Sequence, residues 1–400
     1  MRILFVAQAV SPHTARWISQ IQDQGWDIHL FDMLGSFPHP ELRGITEYSL
    51  MFPRKISSTK AISYGNPFFL KYGLDPFPLS LIGFVTRRIF RNRVQKLAKL
   101  ILDIQPDVIH SMEMQTETYH LLKVLDIFKG KLSIPWIVTT WGSDIYHFRQ
   151  FPEHLEKIQK VLANCDYLLP DCARDEILAH ELGFKGSIPM IVPAAGGYHI
   201  SEMRSYIKEN VVSKRKLIML KGYQGWAGRA QNALAAMELC ADALEGYEIV
   251  VYLASPIVQE KVKSIQRKGK LNIRVLPRSP YSTVLELFGR ARIAIGINQT
   301  DGTPNAMLEA MTMNAFPIQS DTESTAEWIT NGVNGLLVDP NNPLEIADAI
   351  RKAVDDDTLI KKAAEINSTL TFQKLDISLV KPKVVEMYRL LAADDQRTKK

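Results

Sequence analysis

The sequence predicts an α/β chain of two doubly wound domains, each a parallel sheet with helices on both faces. Three observations carry that expectation. Four hundred residues exceed what one ordinary core holds. Short β-branched runs alternate with longer helical patterns through both halves. The alternation pauses once, in the Pro- and Gly-containing "SIPMIVPAAGGYHI", which suits a hinge between domains.

In order, "RILFVAQ" reads as a strand, followed by a helix near Thr14–Gln24 and the strand "DIHLFDM". Then come "DVIHS", a helix near Thr116–Phe128, "PWIVTTWG", a helix near Glu153–Ala163, "DYLLPD" and a helix near Arg174–Leu182. After the pause the rhythm restarts with "KLIMLKG", the helix "RAQNALAAMELCADAL", "YEIVVYLAS", the helix "IVQEKVKSIQRKG" and "NIRVLP". The helix "STVLELFGRA", the strand "IAIGIN", a helix around Glu309, "FPIQSD" and "GLLVDP" with trailing helices complete it. The expected division is 1–197, 198–375, and a closing segment 376–400 that returns to the first domain. Ligands of such sheets sit at the carboxyl ends of the strands, and here also in a cleft between domains.

A composition of 46% hydrophobic and 23% charged residues fits a folded soluble protein. Cys165, Cys172 and Cys240 are too few for a disulfide framework and fit a reducing compartment. The apolar run in "MRILFVAQAV" is short for a leader, and no stretch reaches the roughly 18 apolar residues of a membrane span. A cytoplasmic location is expected. The net charge of +5 is concentrated between Arg54 and Lys99, where ten bases face one acid, Asp75. Within it Phe90, Val94, Leu97, Ala98 and Ile101 share a helical face. Two readings stay open: a solvated helix packed on its own domain, or a contact with anionic membrane. No aromatic-interleaved basic motif accompanies the charge, so no nucleic-acid partner is expected.

The most informative stretch is "INQTDGTPNAMLEAM". A buried strand ends, a loop delivers Asp301, and Gly302 permits close backbone approach to a ligand. Thr303 is placed as N-cap and Pro304 as first helical residue, so the helix start faces the strand ends and suits a diphosphate. Asn305 and Glu309 fall on one face of a helix otherwise apolar. A carboxylate among apolar neighbours needs donors, which sugar or ribose hydroxyls supply. The acids of "VDDDT" read as caps rather than metal ligands. Zinc spacing, a Walker lysine motif and a dinucleotide fingerprint are all missing from the sequence.

Asp301, seven intervening residues, Glu309 and then "NAFPIQSDTESTAEWITNGVNGLLVDPNNPLEIADAI" resemble the donor-binding half of glycosyltransferase family 4, the group 1 enzymes. The resemblance covers nearly the whole chain; in the first half it rests on strand order, "PDVIH" and "TTWGSDI". It implies the GT-B fold, two Rossmann-like domains facing each other across a cleft, and retaining transfer from a nucleotide-diphosphate sugar without cofactor or metal. It further implies that Asp301 contacts the donor sugar and Glu309 the ribose, with Gly302, Thr303, Pro304 and Asn305 near sugar and phosphates. Asp301 is one carbon shorter than the family's usual Glu, which bears on sugar selectivity.

The family's diphosphate-binding bases correspond here to "KGYQGWAGRA", with Lys221 beside Gly222 at the strand end and Arg229 opening the helix, in altered order and spacing. Such cations stabilise a departing diphosphate. In the first domain His110 keeps the first position of a His-x-His strand end, and Met112 occupies the second. Glu113 is the candidate to act on the acceptor hydroxyl or the donor sugar. Ser143 and Asp144 of "TTWGSDIY" are expected at the acceptor, with Asp144 equally an N-cap, and His13 is a further loop candidate. The expected acceptor is a glycan or, from the basic stretch 54–99, a lipid-linked or membrane-borne saccharide, as in bacterial surface-polysaccharide assembly. The alternatives are a non-catalytic sugar-nucleotide-binding protein and a GT-B epimerase or hydrolase.

Overall fold

The computed structural model describes residues 1–36, 38–48, 54–56, 93–129, 134–209, 211–322 and 324–398. The chain forms two compact units. The first is Met1–Asp171, Asp175–Gly197 and Lys381–Lys400, and the second is Cys172–Arg174 with Tyr198–Val380.

Among the described residues the first unit holds β1 (Arg2–Val6), β2 (Asp27–Phe31), β3 (Ile45–Glu47), β4 (Arg54–Ile56), β5 (Val108–Met112), β6 (Trp136–Thr139) and β7 (Tyr167–Leu169). They lie in the order β4-β3-β2-β1-β5-β6-β7, parallel except for the β3–β4 pair. Ile3, Leu4, Phe5 and Val6 of β1 are wholly buried, as expected for a central parallel strand covered on both faces. The first helix runs Pro12–Ser19, earlier than expected. The Ser11 side chain accepts the His13 N–H and Pro12 supplies a pre-set first turn. The helix expected near Thr116 is split into a wide turn, Met114–Thr118, and a helix, Tyr119–Ile127.

Most of the basic stretch 54–99 lies outside the described residues, Phe90 included. Its last part belongs to a helix over 93–104, on which Leu97, Ala98 and Ile101 are buried in the unit's own core. Arg93 is buried as well. Its guanidinium lies 4.7 Å over the Phe31 ring and donates to the carbonyls of Asp32 and Tyr48. Among the described residues no helix is long and apolar enough to cross a membrane.

The second unit holds β8 (Leu217–Lys221), β9 (Glu248–Tyr252), β10 (Asn272–Val275), β11 (Ala291–Gly296), β12 (Phe316–Ser320) and β13 (Leu336–Val338), all parallel. Their order is β10-β9-β8-β11-β12-β13, so the winding reverses between β8 and β11. At such a switch point the connections leave in opposite directions and open a crevice at the carboxyl ends of the two strands. Ile218, Leu220, Ile293 and Ile295 pack toward one layer of helices, and Met219 and Ala294 toward another that includes Met307, Leu308 and Met311. The acids of "VDDDT" are structural: Asp356 caps the helix Asp357–Leu375 through the Leu359 N–H at 2.8 Å. Asp357 pairs with the buried Arg292 guanidinium at 2.7 Å.

Candidate functional site

In the second unit the switch point brings Lys221, at the end of β8, to the loop that follows β11. Gly222 makes the turn out of β8 possible. A Cβ there would lie 2.7 Å from both Ala254 Cα and Val251 Cγ1, too close for any side chain. Lys221 Nζ stands 3.7 Å from Asp301 Oδ2, both groups partly open to solvent. Asn298 Nδ2 donates to the same oxygen at 2.9 Å, and the Gly302 N–H donates to Oδ1 at 3.0 Å. Strand end, loop amide and cation thus orient one carboxylate.

The following helix spans Asn305–Thr312, with Pro304 at the cap position where Thr303 was expected. Asn305 accepts a hydrogen bond from the Tyr198 hydroxyl. Glu309, one turn further, is 7% exposed and accepts from the Tyr281 hydroxyl at 2.8 Å. A lone carboxylate on a buried apolar helix is therefore held by a phenol at the start of the helix Tyr281–Arg290. Burial, and then the charge of Glu309, push the pKa of the Tyr252 phenol at the end of β9 well above its ordinary value.

Arg229 precedes the helix Ala230–Leu239. Its Nη1 donates to the carbonyls of Gly225 at 3.0 Å and Gly228 at 2.9 Å, and its backbone N–H to Ile297 at 2.8 Å. The side chain closes the 222–229 loop on itself while keeping a positive charge in it.

Two features of this unit had no signal in the sequence. Arg174, 7% exposed, donates through Nη1 to the carbonyls of Asp301 at 3.0 Å and Thr322 at 2.7 Å. The Glu327 carboxylate receives the backbone N–H groups of Ala173 and Arg174 at 2.9 and 3.0 Å. Asn298, by contrast, was readable as a polar residue ending an apolar strand.

In the first unit, several expected acceptor residues have other employment. His110 is completely buried between Tyr388, whose hydroxyl lies 2.5 Å from Nδ1, and Thr139, whose Oγ1 lies 2.6 Å from Nε2. Burial holds its pKa at about 3, so the ring is a neutral core group and not a contact at a strand end. Glu113 sits at φ 72°, an uncommon backbone for a side-chain-bearing residue. Its carboxylate turns back to accept the N–H groups of Gln115, Thr116 and Glu117 at 2.9, 2.8 and 3.1 Å. In place of the expected action on a hydroxyl, Glu113 caps the turn that follows β5.

Asp144, 4% exposed, caps no helix either. One oxygen accepts the N–H groups of Trp141 at 2.7 Å and Met114 at 2.9 Å, tying the loops after β5 and β6 together. Burial, and then the nearby Glu113 charge, hold the Asp144 carboxyl well above its ordinary pKa. The Ser143 carbonyl accepts the His147 N–H at 3.1 Å in the same loop. His13 is no isolated loop residue: its ring centroid lies 5.0 Å from that of Trp141. Among the described residues no group of three or more His, Cys, Asp and Glu side chains is placed to hold a metal ion.

Residues 209–369 match the family of glycosyl transferases group 1, and residues 2–66 and 83–169 match a glycosyl transferase 4-like domain. With the two parallel-sheet α/β units, these domains indicate a GT-B glycosyltransferase. Solved structures agree in fold. Sucrose-phosphate synthase from Thermosynechococcus elongatus superposes with a TM-score of 0.70 at 12% identity, over 98% of this chain and 100% of that one. Alr3699/HepE of Anabaena, in complex with UDP and glucose, gives 0.65 at 15% identity over 97% and 99%. The E. coli trehalose-6-phosphate protein bound with UDP-2-fluoro glucose gives 0.66 at 12% identity over 98% and 99%. No curated protein matches the chain.

Proposed function

We propose that this chain is a retaining, metal-independent hexosyltransferase of family 4, moving a sugar from a nucleotide-diphosphate donor to a glycan or lipid-linked acceptor. The observation that carries the reading is the pairing of Lys221 with Asp301 at the switch point of the second sheet, with the buried Glu309 on the helix that follows. Similar folds solved with UDP and glucose or with UDP-2-fluoro glucose support a nucleotide sugar as the donor.

Charge builds on the diphosphate as the glycosidic bond breaks. Lys221 is positioned to neutralise it, with Arg229 contributing field from its loop. Asp301, held by Asn298 and Lys221, accepts hydrogen bonds from sugar hydroxyls and fixes the ring. Glu309 holds the ribose. With Glu113 occupied as a cap, the proton of the acceptor passes to the leaving phosphate oxygen as the new bond forms on the same face. Ser143, Asp144 and His13 are the acceptor-side candidates that remain in the first unit. A membrane-borne acceptor, as in surface-polysaccharide assembly, is proposed from the basic residues of 54–99; equal binding to neutral and anionic vesicles would remove that part.

The test is a thermal-shift screen of wild type and Glu309→Ala against UDP, GDP, ADP, CMP and their sugars. A true ligand at a hundredfold excess over its Kd stabilises by about 2.7 kcal/mol. Product analysis with and without acceptor then separates transfer from hydrolysis or epimerisation. Binding without turnover on a broad acceptor panel identifies a non-catalytic protein.

A further inference from the structure

We propose that Arg174 is a positioning residue for the donor sugar, acting through the backbone of the loop that carries Asp301. The proposal rests on the nucleotide-sugar reading of the site. The Asp301 and Gly302 carbonyls are gripped from behind: Arg174 Nη1 donates to Asp301 O at 3.0 Å, and Ser324 Oγ donates to Gly302 O at 2.7 Å. The same Nη1 reaches Thr322 O at 2.7 Å and Ser324 Oγ at 3.4 Å, so one nitrogen joins two segments that make no strand with each other. Ser324 is wholly buried and Thr322 nearly so.

The grip is itself anchored, since Glu327 receives the Ala173 and Arg174 backbone N–H groups. Burying a guanidinium against carbonyl oxygens is costly and is offset only when its hydrogen bonds are well made. A hydrocarbon side chain would fill this space without defining the peptide planes on either side of Asp301. Those planes set where the Asp301 carboxylate points relative to Lys221. Glu309 depends on a different support, the Tyr281 hydroxyl. The consequence is selective: losing Arg174 disturbs recognition of the sugar and leaves recognition of the nucleotide diphosphate.

Titration calorimetry of wild type, Arg174→Ala, Arg174→Lys and Ser324→Ala tests this with the pairs UDP and UDP-glucose, GDP and GDP-mannose, and ADP and ADP-glucose. For the pair that wild type binds, Arg174→Ala is expected to hold the nucleoside diphosphate within about twofold and to weaken the nucleotide sugar about tenfold. Arg174→Lys recovers part of the loss, and Ser324→Ala shows a smaller loss in the same direction. Folded variants that bind both ligands as wild type does, or lose both equally, overturn the role of Arg174 alone. If Arg174→Ala does not fold, unchanged sugar binding in Ser324→Ala overturns it instead. A wild type that binds none of the pairs removes the nucleotide-sugar reading and this inference with it.

Discussion

Lys221 Nζ lies 3.7 Å from the Asp301 carboxylate, joining the last residue of β8 to the loop after β11. The pair sits where the order of the sheet reverses. In the proposed reading the cation takes the phosphates and the acid takes the sugar. Lys221→Ala is expected to weaken nucleoside-diphosphate binding by about tenfold to a hundredfold, the worth of a charge-assisted hydrogen bond. Calorimetry checks it, with Lys221→Arg as the charge-keeping control that retains part of the affinity.

Asp301→Asn keeps the shape and loses the charge. It is expected to lower kcat/KM by about a hundredfold while diphosphate affinity changes little, because the interaction is made with the reacting sugar. Asp301→Glu, which restores the family's usual reach, is expected to alter the ranking of donor sugars more than total activity. Steady-state kinetics on a donor panel reads both effects, and an unchanged ranking would count against Asp301 as a sugar contact.

Tyr281→Phe removes the hydroxyl that donates to Glu309 and keeps the ring. The expected cost to nucleotide affinity is about 0.5–1.5 kcal/mol, the net value of one hydrogen bond. Glu309→Gln should cost more, because both carboxylate oxygens lose their charge. A thermal-shift titration that ranks the two variants in the opposite order contradicts the ribose role.

Gly228→Ala is expected to damage the loop between Lys221 and Arg229. A Cβ there would meet the Tyr223 carbonyl oxygen at 2.1 Å, and backbone cannot swing away as a side chain does. A loss of about 1–3 kcal/mol in urea denaturation is expected, with nucleotide binding weakened in parallel.

The pH dependence of stability follows from His110. Its pKa is about 3 in the folded chain, against an ordinary 6.5, so between those values the unfolded chain binds the extra proton. Its contribution to stability is complete above pH about 6.5 and falls as the medium is acidified toward 3, at up to roughly 1.4 kcal/mol per pH unit. The buried carboxyls of Glu117 and Asp144, raised by burial, work in the opposite direction. The comparison of wild type with His110→Gln isolates the histidine. The variant is less stable at pH 7.5, and the gap narrows toward pH 4.5. A gap that stays constant would mean that His110 is not neutral in the folded chain.

The strands of both sheets were legible where they are long and buried on both faces, as in "ILFV" and "LIML". β3 ("ITE") and β4 ("RKI") were not, because they lack the apolar run that made the equally short β7 ("YLL") and β13 ("LLV") readable. The residues proposed for the donor side stood out for a related reason. Lys221, Asp301 and Glu309 each follow a local rule, a charge placed at the end of a strand or one turn into the next helix. The acceptor side was misread where the local rule is ambiguous. His110 was read near a strand end, but it is the middle residue of β5 and lies wholly in the core.

The sequence by itself determined the two alternating α/β halves, the charged residues at the strand ends and the resemblance to the group 1 glycosyl transferases. These depend on periodicity and on neighbours a few residues apart. Only the tertiary structure decided that His110 is sealed by Tyr388, that Glu113 caps its own turn, and that Arg174 supports Asp301. Each outcome depends on a partner or a backbone angle that no local pattern encodes. Whether a polar side chain faces a ligand or satisfies the fold is settled by the donors and acceptors that packing brings within about 3 Å of it.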